Sequence, residues 1–274
     1  MKESSIASCY MSPSLGAEQF IPDHCFMYLV SGSMLVYDGH KEYKIQSGDY
    51  GIARRNHLAK YIKQPEDGAF KKIFILFQQD FLKTFKDTYG FTAEGSKTVG
   101  AIIPLGKDRL VKNFMESIIP YFNEDGVMEE QFLDIKRTEL LLVLLKVNPE
   151  LANVFFDFTS PEKINLEEFM NRNYRFNVSI ERFAYLTDRS LSAFKRDFEK
   201  IFHTTPRHWL VQKRLEEAYH LIDKNGKKPS EIYLDLGFEN FSHFSFAFKK
   251  LFGHPPTQLI GRRKIHEESK KDEA

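Results

Sequence analysis

The chain is poor in several features that mark whole classes of protein. Only two of its 274 residues are cysteines, which excludes a disulfide framework or a multi-cysteine zinc site. The longest apolar run, residues 140–145, is far shorter than the roughly 20 residues that a membrane-spanning helix needs. The first ten residues lack the apolar core of a signal peptide. We therefore expect a cytoplasmic protein with no membrane partner.

A large net charge is also absent, but the charge is unevenly distributed. The formal net charge is +1. Residues 161–266 hold 19 Lys and Arg against 13 Asp and Glu, whereas residues 1–160 hold 18 against 21. Contact with the phosphates of nucleic acid requires positive charge, and the C-terminal part has a modest excess of it. A nucleic-acid function must therefore rest mainly on sequence motifs.

The chain contains one pattern twice. The first copy consists of Phe194, Phe198, Phe202, Pro206 and Leu210, and the second of Phe244, Phe248, Phe252, Pro256 and Ile260. A Phe at every fourth position gives a helix one buried aromatic stripe, and the Pro four residues later opens the next helix. Each copy therefore predicts an amphipathic helix followed by a second helix.

A short apolar segment precedes each stripe. The first ends at residues 187–189 and the second at residues 237–240. Their apolar positions, such as Phe183 and Ile232, are forty-nine residues apart instead of fifty. A short helix, a turn of three or four residues and a second amphipathic helix make up the helix-turn-helix motif. Gly237 is suited to the positive φ that such a turn often needs. The two turns are expected to differ by one residue.

The segments RSLSAFKRDFEKIFHTTPRHWL, from Arg189, and LGFENFSHFSFAFKKLFGHPP, from Leu236, resemble the paired helix-turn-helix units of the AraC/XylS family of bacterial transcription regulators. The resemblance covers roughly residues 165–263 with specific motifs and the preceding half only loosely. It implies a sequence-specific activator of transcription that binds double-stranded promoter DNA. It also implies RNA polymerase as a partner, an effector that acts on the N-terminal part, and a possible homodimer.

The fold class predicted is α+β. Strand-like segments at residues 25–37, 42–45, 50–53, 60–63 and 71–77, separated by Gly turns, favour an antiparallel sandwich or small barrel. The resemblance implies a cupin-like barrel there. Helical segments follow at residues 80–89, 107–122 and 129–147, and they either pack on the barrel or form a dimer contact. The Ser-Pro break near residue 160 predicts a sensing or dimerisation domain at 1–160, an all-α DNA-binding domain at 161–266 and a charged tail at 267–274.

A metal site or catalytic site is not predicted in the N-terminal part. Metal cupins use two His in an H-x-H pair on one strand, but His24, His40 and His57 are isolated. We interpret them as surface or loop residues and expect no cofactor. The polar patch at residues 54–57 fits an anion site, because Arg offers a planar fork to carboxylate or phosphate, or a solvated turn, which is favoured.

The segment between the two motifs, residues 206–221, predicts one long helix with an apolar stripe that includes Trp209, Leu215 and Ala218. A continuous helix is stiff and fixes the separation and rotation of the two motifs. A single chain can then read two successive major-groove segments, about one helical turn or roughly 34 Å apart.

If the aromatic stripes face inward, the first recognition helix exposes Ser190, Ser192, Lys195, Arg196 and Glu199. Arg suits a bidentate contact with guanine, and Ser or Lys suits base edges or phosphate. The resemblance assigns base reading to Ser192, Lys195 and Arg196. The alternative is that Lys195 and Arg196 are only solvated charges.

The second recognition helix differs at the matching positions, which are Phe241, Ser242, Ser245 and Phe246. Position 246 is often Arg in the family, whereas Phe donates no hydrogen bond and can meet only a thymine methyl group or a sugar. We therefore expect weaker base discrimination there, with Ser242, His243 and Ser245 contacting mainly the backbone. Tyr233 stands where the family usually has Ala, which puts the packing of that helix in doubt. The candidates for phosphate contact are Lys249, Lys250 and residues 262–264.

Two other functions stay open at this point. One is an enzyme, either a cupin-type oxygenase or isomerase or a DNA-repair methyl transferase with a regulator-like domain, but clustered metal ligands and a reactive cysteine in a recognisable setting are missing. The other is a regulator controlled by a protein partner instead of a small molecule, which the residues do not distinguish from ligand sensing.

Overall fold

The computed structural model describes residues 19–67, 69–93, 100–124, 126–159, 161 and 163–259, together with the backbone of residues 6–10. The chain divides into two compact units at residues 160 and 161. The N-terminal unit holds β-sheets and helices, and the described part of the C-terminal unit is helical. Among the described residues, no helix combines the length and the apolar character needed to cross a membrane.

The strands of the N-terminal unit pair antiparallel throughout. They are β1 (Ile6–Tyr10), β2 (Phe20–Ile21), β3 (His24–Ser31), β4 (Ser33–Tyr37), β5 (Glu42–Gln46), β6 (Tyr50–Ala53), β7 (His57–Leu58), β8 (Lys60–Gln64), β9 (Lys71–Phe77) and β10 (Ile102–Pro104). One sheet has the order β1-β9-β3-β6-β10, a second has β5-β4-β8, and β2 pairs with β7. In the described residues, the strands therefore form separate sheets and do not close into one hydrogen-bonded barrel.

Both faces of the larger sheet are covered. On β3, Met27 and Leu29 belong to one apolar cluster together with Met34 and Val36 of the smaller sheet. Phe26, the residue before Met27, belongs to the other cluster, which the helices of this unit complete. Successive side chains of a strand point to opposite faces, so one strand serves both cores. Double coverage explains why the sequence of β3 is apolar almost throughout.

The segment predicted as one strand, residues 25–37, is two strands in different sheets. Gly32 separates them with a φ of 85°, and a Cβ there would lie 2.9 Å from the carbonyl oxygen of Gln64. Only Gly accepts both the positive φ and this close approach without strain. A second difference concerns residues 90–104, predicted as a polar connection. Its last part, β10, pairs with β6, because Ile102 is buried in the core.

The N-terminal unit also contains α1 (Gln79–Tyr89), α2 (Arg109–Ile118), α3 (Glu130–Val147) and α4 (Ala152–Phe155). Their buried side chains, among them Phe85, Phe114 and Leu144, share the cluster that covers the larger sheet. These helices therefore pack on the sheet, one of the two roles predicted for them. The outer side of α3 still exposes Ile135 (63% exposed) and Leu142.

The polar patch at residues 54–57 is not a solvated turn, so the favoured interpretation of it was wrong, whereas the anion site stays a prediction. Arg55 is buried, and its Nη2 donates to the carbonyl oxygens of Asp157 and Thr159, both at 2.7 Å. Arg54 donates to the carbonyl oxygen of Gly100 at 2.9 Å. Carbonyl acceptors far along the chain are invisible in the local sequence. The bonds of Arg55 fasten the last residues of the N-terminal unit to its sheets, and the bond of Arg54 fastens residue 100.

The interpretation of His24 as a surface or loop residue was also wrong. His24 lies in β3, is 3% exposed, and meets the ring of Phe155 edge-on at 5.6 Å. Burial, followed by the positive charges of Arg55 and Arg54, lowers the pKa of His24 to about 3. The imidazole is therefore neutral in the folded protein. His40 is exposed, as expected.

The C-terminal unit contains α5 (Leu166–Asn173), α6 (Ile180–Leu186), α7 (Leu191–Phe202), α8 (Pro206–Asp223), α9 (Pro229–Ile232) and α10 (Phe241–Phe252). Asn165 caps α5, because its Oδ1 accepts from the backbone N–H of Glu168 at 3.0 Å. Pro206 is the first residue of α8, and Thr205 caps that helix by accepting from His208 N–H. The prolines therefore start helices as the repeat predicted.

We predict that His24 makes the N-terminal unit sensitive to acid. As the pH falls below about 6.5, the unfolded chain protonates His24 while the folded chain does not until about pH 3, so stability is lost with falling pH. His24→Asn keeps an acceptor and removes the titration. The loss of unfolding free energy between pH 6.5 and pH 5 should then shrink by roughly 1.5 kcal/mol.

Urea denaturation at several pH values, followed by circular dichroism, measures this difference. The exposed His40→Asn is the matched control and should keep the wild-type pH dependence. Parallel curves for wild type and His24→Asn would contradict the prediction.

Candidate nucleic-acid interface

The first helix-turn-helix consists of α6, a short turn and α7. Asp188 takes up the left-handed conformation in the turn, with a φ of 52°, and Asp is among the residues that tolerate it. Ser190 then caps α7, its Oγ accepting from the backbone N–H of Ala193 at 3.2 Å. The turn thus ends two residues after its left-handed position.

The second helix-turn-helix consists of α9, a longer turn and α10. Gly237 is the left-handed residue here, with a φ of 82°, which confirms the positive φ predicted for it. Asn240 caps α10, its Oδ1 accepting from the backbone N–H of His243 at 2.8 Å. This turn reaches its cap three residues after the left-handed position. The second turn is one residue longer than the first. This explains why the helices before the turns are forty-nine residues apart in the sequence, whereas the aromatic stripes after them are fifty residues apart.

The aromatic stripes face inward in both motifs, as predicted. Phe194 and Phe198 of α7 are fully buried, and so are Phe244 and Phe248 of α10. The last ring of each stripe continues the stack, with Phe198 and Phe202 centroids 4.3 Å apart and Phe248 and Phe252 centroids 4.6 Å apart. Burying one face of each helix leaves the opposite face to solvent.

The outer face of α7 carries the side chains expected to read DNA. Ser190, Ser192, Lys195 and Arg196 are all exposed. Arg196 has a weak ion pair with Asp197, at 3.4 Å between Nη2 and Oδ1, and its side chain is 66% exposed. Exposed pairs of this kind contribute roughly 0–1 kcal/mol, so the guanidinium can leave Asp197 for a stronger partner.

The outer face of α10 is chemically different. Ser242, His243, Phe246, Lys249 and Lys250 are exposed, whereas Ser245 is half-buried. No carboxylate occurs anywhere in the sequence of this helix, in contrast to Asp197 and Glu199 of α7. A helix without acidic residues meets no repulsion from phosphate. The basic cluster at residues 262–264 lies outside the described residues.

Phe241 belongs more to the core than to this outer face. Its half-buried ring meets Tyr233 edge-on, with centroids 5.6 Å apart, and lies 5.9 Å from the ring of Phe244. Tyr233 in turn belongs to the apolar residues around the buried cluster of this motif. The large side chain at position 233 is therefore accommodated through an aromatic partner.

A buried arginine of the spacer helix α8 binds both the segment before the first motif and the turn of the second. Arg214 is 8% exposed and donates three hydrogen bonds to backbone carbonyl oxygens. Nε donates to Tyr174 at 2.7 Å and Nη2 to Phe176 at 2.8 Å, in the segment that leads into α6. Nη1 donates to Gly237 at 2.9 Å, in the turn of the second motif. One guanidinium thus ties the segment before α6 to the turn of the second motif.

Two polar contacts surround this guanidinium. Arg175 pairs with Glu217 of α8, and Asn177 donates to Glu239 at 3.2 Å. A Cβ on Gly237 would come within 2.8 Å of both the Arg175 carbonyl oxygen and the guanidinium carbon of Arg214. Gly237 is therefore required both for its φ and for this close approach. The segment 174–177, α8 and the second turn form one rigid joint.

Arg214 was missed by the sequence reasoning, although a signal for it existed. It lies four residues after Leu210 and four before Ala218, both buried, and thus in the middle of the apolar stripe of α8. A charged residue on a buried stripe needs partners, because an unpaired charge is costly to bury. The partners are backbone carbonyls, which no side-chain pattern reveals. Burial lowers the pKa of Arg214 to about 10, so it stays protonated at neutral pH.

Comparison with known proteins gives two family matches. Residues 24–154 match the family described as the ExsA N-terminal regulatory domain, and residues 184–262 match a helix-turn-helix domain family. The chain is a member of the AraC/XylS family. As a member of that family, it is a DNA-binding transcription regulator with an N-terminal regulatory domain.

Relatives of this AraC/XylS-family member include regulators from several bacteria. It is 20% identical to the HTH-type transcriptional regulator ExsA of Pseudomonas aeruginosa, over 84% of this chain and 83% of ExsA. It is 29% identical to the thermoregulatory protein LcrF of Yersinia pestis, over 84% and 86% of the two chains. Among solved structures, apo ToxT of Vibrio cholerae matches with a TM-score of 0.44 and 14% identity, over 94% of this chain and 97% of ToxT.

A search of the described residues for three or more His, Cys, Asp or Glu grouped as metal ligands finds none. One cavity of the N-terminal unit, about 330 Å³, is lined mostly by apolar residues that include Met27, Met34 and Ile102.

We predict that Arg214→Met destabilises the C-terminal unit by roughly 3 kcal/mol or more, because each buried carbonyl left without a donor costs about 1–3 kcal/mol. Trp209, the one tryptophan of the chain, lies on the same helix and reports unfolding by its fluorescence. Arg207→Met is the matched control, since Arg207 is exposed on α8 and the change should stay within about 0.5 kcal/mol. Equal stability of the two variants would contradict the role of Arg214.

Proposed function

We propose that this regulator binds double-stranded promoter DNA with α7 and α10 in successive major-groove segments on one face of the duplex, and that it activates transcription there. The observation that carries the proposal is the joint around Arg214, which holds two exposed recognition faces on one spacer helix. A relative, the XylDLEGF operon transcriptional activator 1 of Pseudomonas putida, is 28% identical over half of this chain and supports activation.

The proposed base-reading residues of α7 are Ser192, Lys195 and Arg196. Arg196 suits guanine, because its fork matches two acceptors in the major groove. The N-terminal end of α7, with Ser190, suits a phosphate, since backbone N–H groups point outward there. On α10, Ser242, His243 and Ser245 fit backbone contacts, and Lys249 and Lys250 fit phosphates. Phe241 and Phe246 complete the proposed surface.

We propose that residues 1–160 are the regulatory part and that their sheets form a cupin-like sandwich that stays open. The two facing sheets and the apolar cluster between them support this idea. The cavity of about 330 Å³ favours an apolar small-molecule effector, because ligand pockets in proteins typically begin at about 300 Å³. A thermal-shift screen tests it: a metabolite present at 100 times its dissociation constant should add about 2.7 kcal/mol to this domain. Stability unchanged by every metabolite favours control by a protein partner.

Two further partners belong to the proposal. RNA polymerase is the partner that an activator recruits. A second copy of the chain is the other, and the exposed Ile135 and Leu142, two turns apart on α3, offer apolar surface for a homodimer. Both proposals agree with a protein that works in the cytoplasm.

Sequencing of DNA fragments selected by the purified full-length protein tests the proposed function. The expected result is a motif with two conserved segments whose centres are about one helical turn, roughly 10 base pairs, apart. Fragments with no enriched sequence would overturn sequence-specific binding.

We predict different outcomes for two charge-removing substitutions. Arg196→Ala should cost about 1–3 kcal/mol on the selected site and relax the preference at one base pair. Lys249→Ala should weaken binding to all sequences alike and reduce the salt dependence by about one phosphate contact. Titrations on selected and random duplexes at several salt concentrations measure both. An equal loss on selected and random DNA for Arg196→Ala would refute its role in base reading.

A further inference from the structure

Phe246 is the most exposed large apolar side chain in the part of the chain that the structure describes. Its side chain is 69% exposed, in the middle of α10. Within residues 163–259, no other aromatic ring packs against it, although the other phenylalanines of this helix belong to the aromatic stack or lie beside it. Single exposed apolar side chains are common on proteins, so exposure alone decides nothing. Its place on the helix is what matters.

Phe246 lies at the centre of the face that α10 turns to solvent. The helical spacing puts Ser242 one turn before it and Lys249 and Lys250 one turn after it. Ser242 is short, so the ring projects beyond the residue that precedes it on this face. In the other motif, Arg196 takes the matching position on α7, fifty residues earlier. The best-placed side chain for a base edge is therefore cationic in one motif and aromatic in the other.

The chemistry of the major groove limits what this ring can recognise. Guanine, cytosine and adenine present donors and acceptors there, and only thymine presents an apolar group, its C5 methyl. A phenyl ring forced against a donor or acceptor leaves that group without a partner, which costs binding energy. Contact with a methyl group removes apolar surface of both partners from water. Lys249 and Lys250 fit phosphates on either side, and α10 has no carboxylate to oppose them.

We propose that Phe246 determines the specificity of the second helix-turn-helix and that it selects thymine by packing its ring on the C5 methyl group. This inference rests on the proposed function, that α10 enters the major groove. It replaces the weak discrimination expected from the sequence with a preference for thymine at one or two positions. The two motifs then read by different means, hydrogen bonds in the first and apolar contact in the second.

The test uses duplexes in which deoxyuridine replaces thymine one position at a time within the segment that the second motif covers. Deoxyuridine keeps the base pair and every hydrogen-bonding group but lacks the methyl. The full-length wild type should bind about four-fold more weakly for each contacted methyl removed, because burial of such a group contributes about 0.8 kcal/mol and 1.4 kcal/mol is tenfold. Phe246→Ala should bind thymine and deoxyuridine duplexes equally.

Leu251→Ala is the matched control, since Leu251 is exposed on the same helix but lies on the opposite side from Phe246. It should keep the four-fold difference of the wild type. If the wild type binds its selected site but ignores every methyl removal, the inference fails while the proposed function stands. If the wild type selects no sequence at all, the proposed function itself fails.

A second variant tests the same inference through a gain of a new base preference. Phe246→Arg gives α10 the side chain that α7 has at the matching position, and DNA selected by this variant should show guanine where the wild type selects thymine. Thermal unfolding should be close to that of the wild type, because the side chain is largely solvent-exposed. Selection of unchanged sequences by the variant would overturn the inference.

Discussion

The C-terminal unit depends on one buried guanidinium. Arg214 has no carboxylate among its described hydrogen-bond partners; its three bonds end on the carbonyl oxygens of Tyr174, Phe176 and Gly237. A buried cation is stable only when its donors are satisfied, so these carbonyls must stay where they are. Two of them belong to the segment before α6 and one to the second turn. The charge therefore acts as a constraint on the position of the segment before α6 relative to the second turn.

This constraint matters for the length of DNA that the two proposed recognition helices can cover together. A single helix-turn-helix covers a short stretch of one groove, and dimeric regulators gain length by pairing two subunits. In the proposed function, the spacer helix α8 and the joint at Arg214 supply the same geometry inside one chain. If the two recognition helices are already ordered before the protein binds DNA, part of the entropy cost of binding is avoided. The two recognition helices are not equivalent. The first, α7, exposes Lys195 and Arg196, whereas α10 exposes Phe246, with a short Ser one turn before it and two Lys one turn after it.

Much of this arrangement follows from sequence, and the reason is local. The aromatic stripes, the cap at Asn165, the proline at position 206 and the left-handed Gly237 all depend on residues within a few positions of one another. The strands β5, β6, β8 and β9 of the N-terminal unit were likewise predictable from alternation and turns, whereas the two-residue β7 was not. The one-residue difference between the motifs was visible as an offset, and the turns after Asp188 and Gly237 explain it.

The features that sequence did not reveal share a different cause. Arg214 and Arg55 both bind backbone carbonyls that are distant along the chain. Every residue has a backbone carbonyl, so the sequence does not show which of them will accept a hydrogen bond. His24 was interpreted as a surface residue because Phe155, whose ring packs against it, lies far away in the sequence. The assignment of individual side chains to bases or phosphates stays a prediction. It depends on how closely each helix approaches DNA.

The most direct test of a rigid connection between the two helix-turn-helix motifs is to change the spacing between the two DNA segments that they bind. On a duplex that carries both selected segments, insertion of five base pairs turns one segment by about half a helical turn to the opposite face. The account predicts that the affinity of the full-length protein falls to that of a duplex with only one segment, and that insertion of about ten base pairs does not restore it. Unchanged affinity after the five-base-pair insertion would contradict the account, because two independently mobile motifs would then suffice.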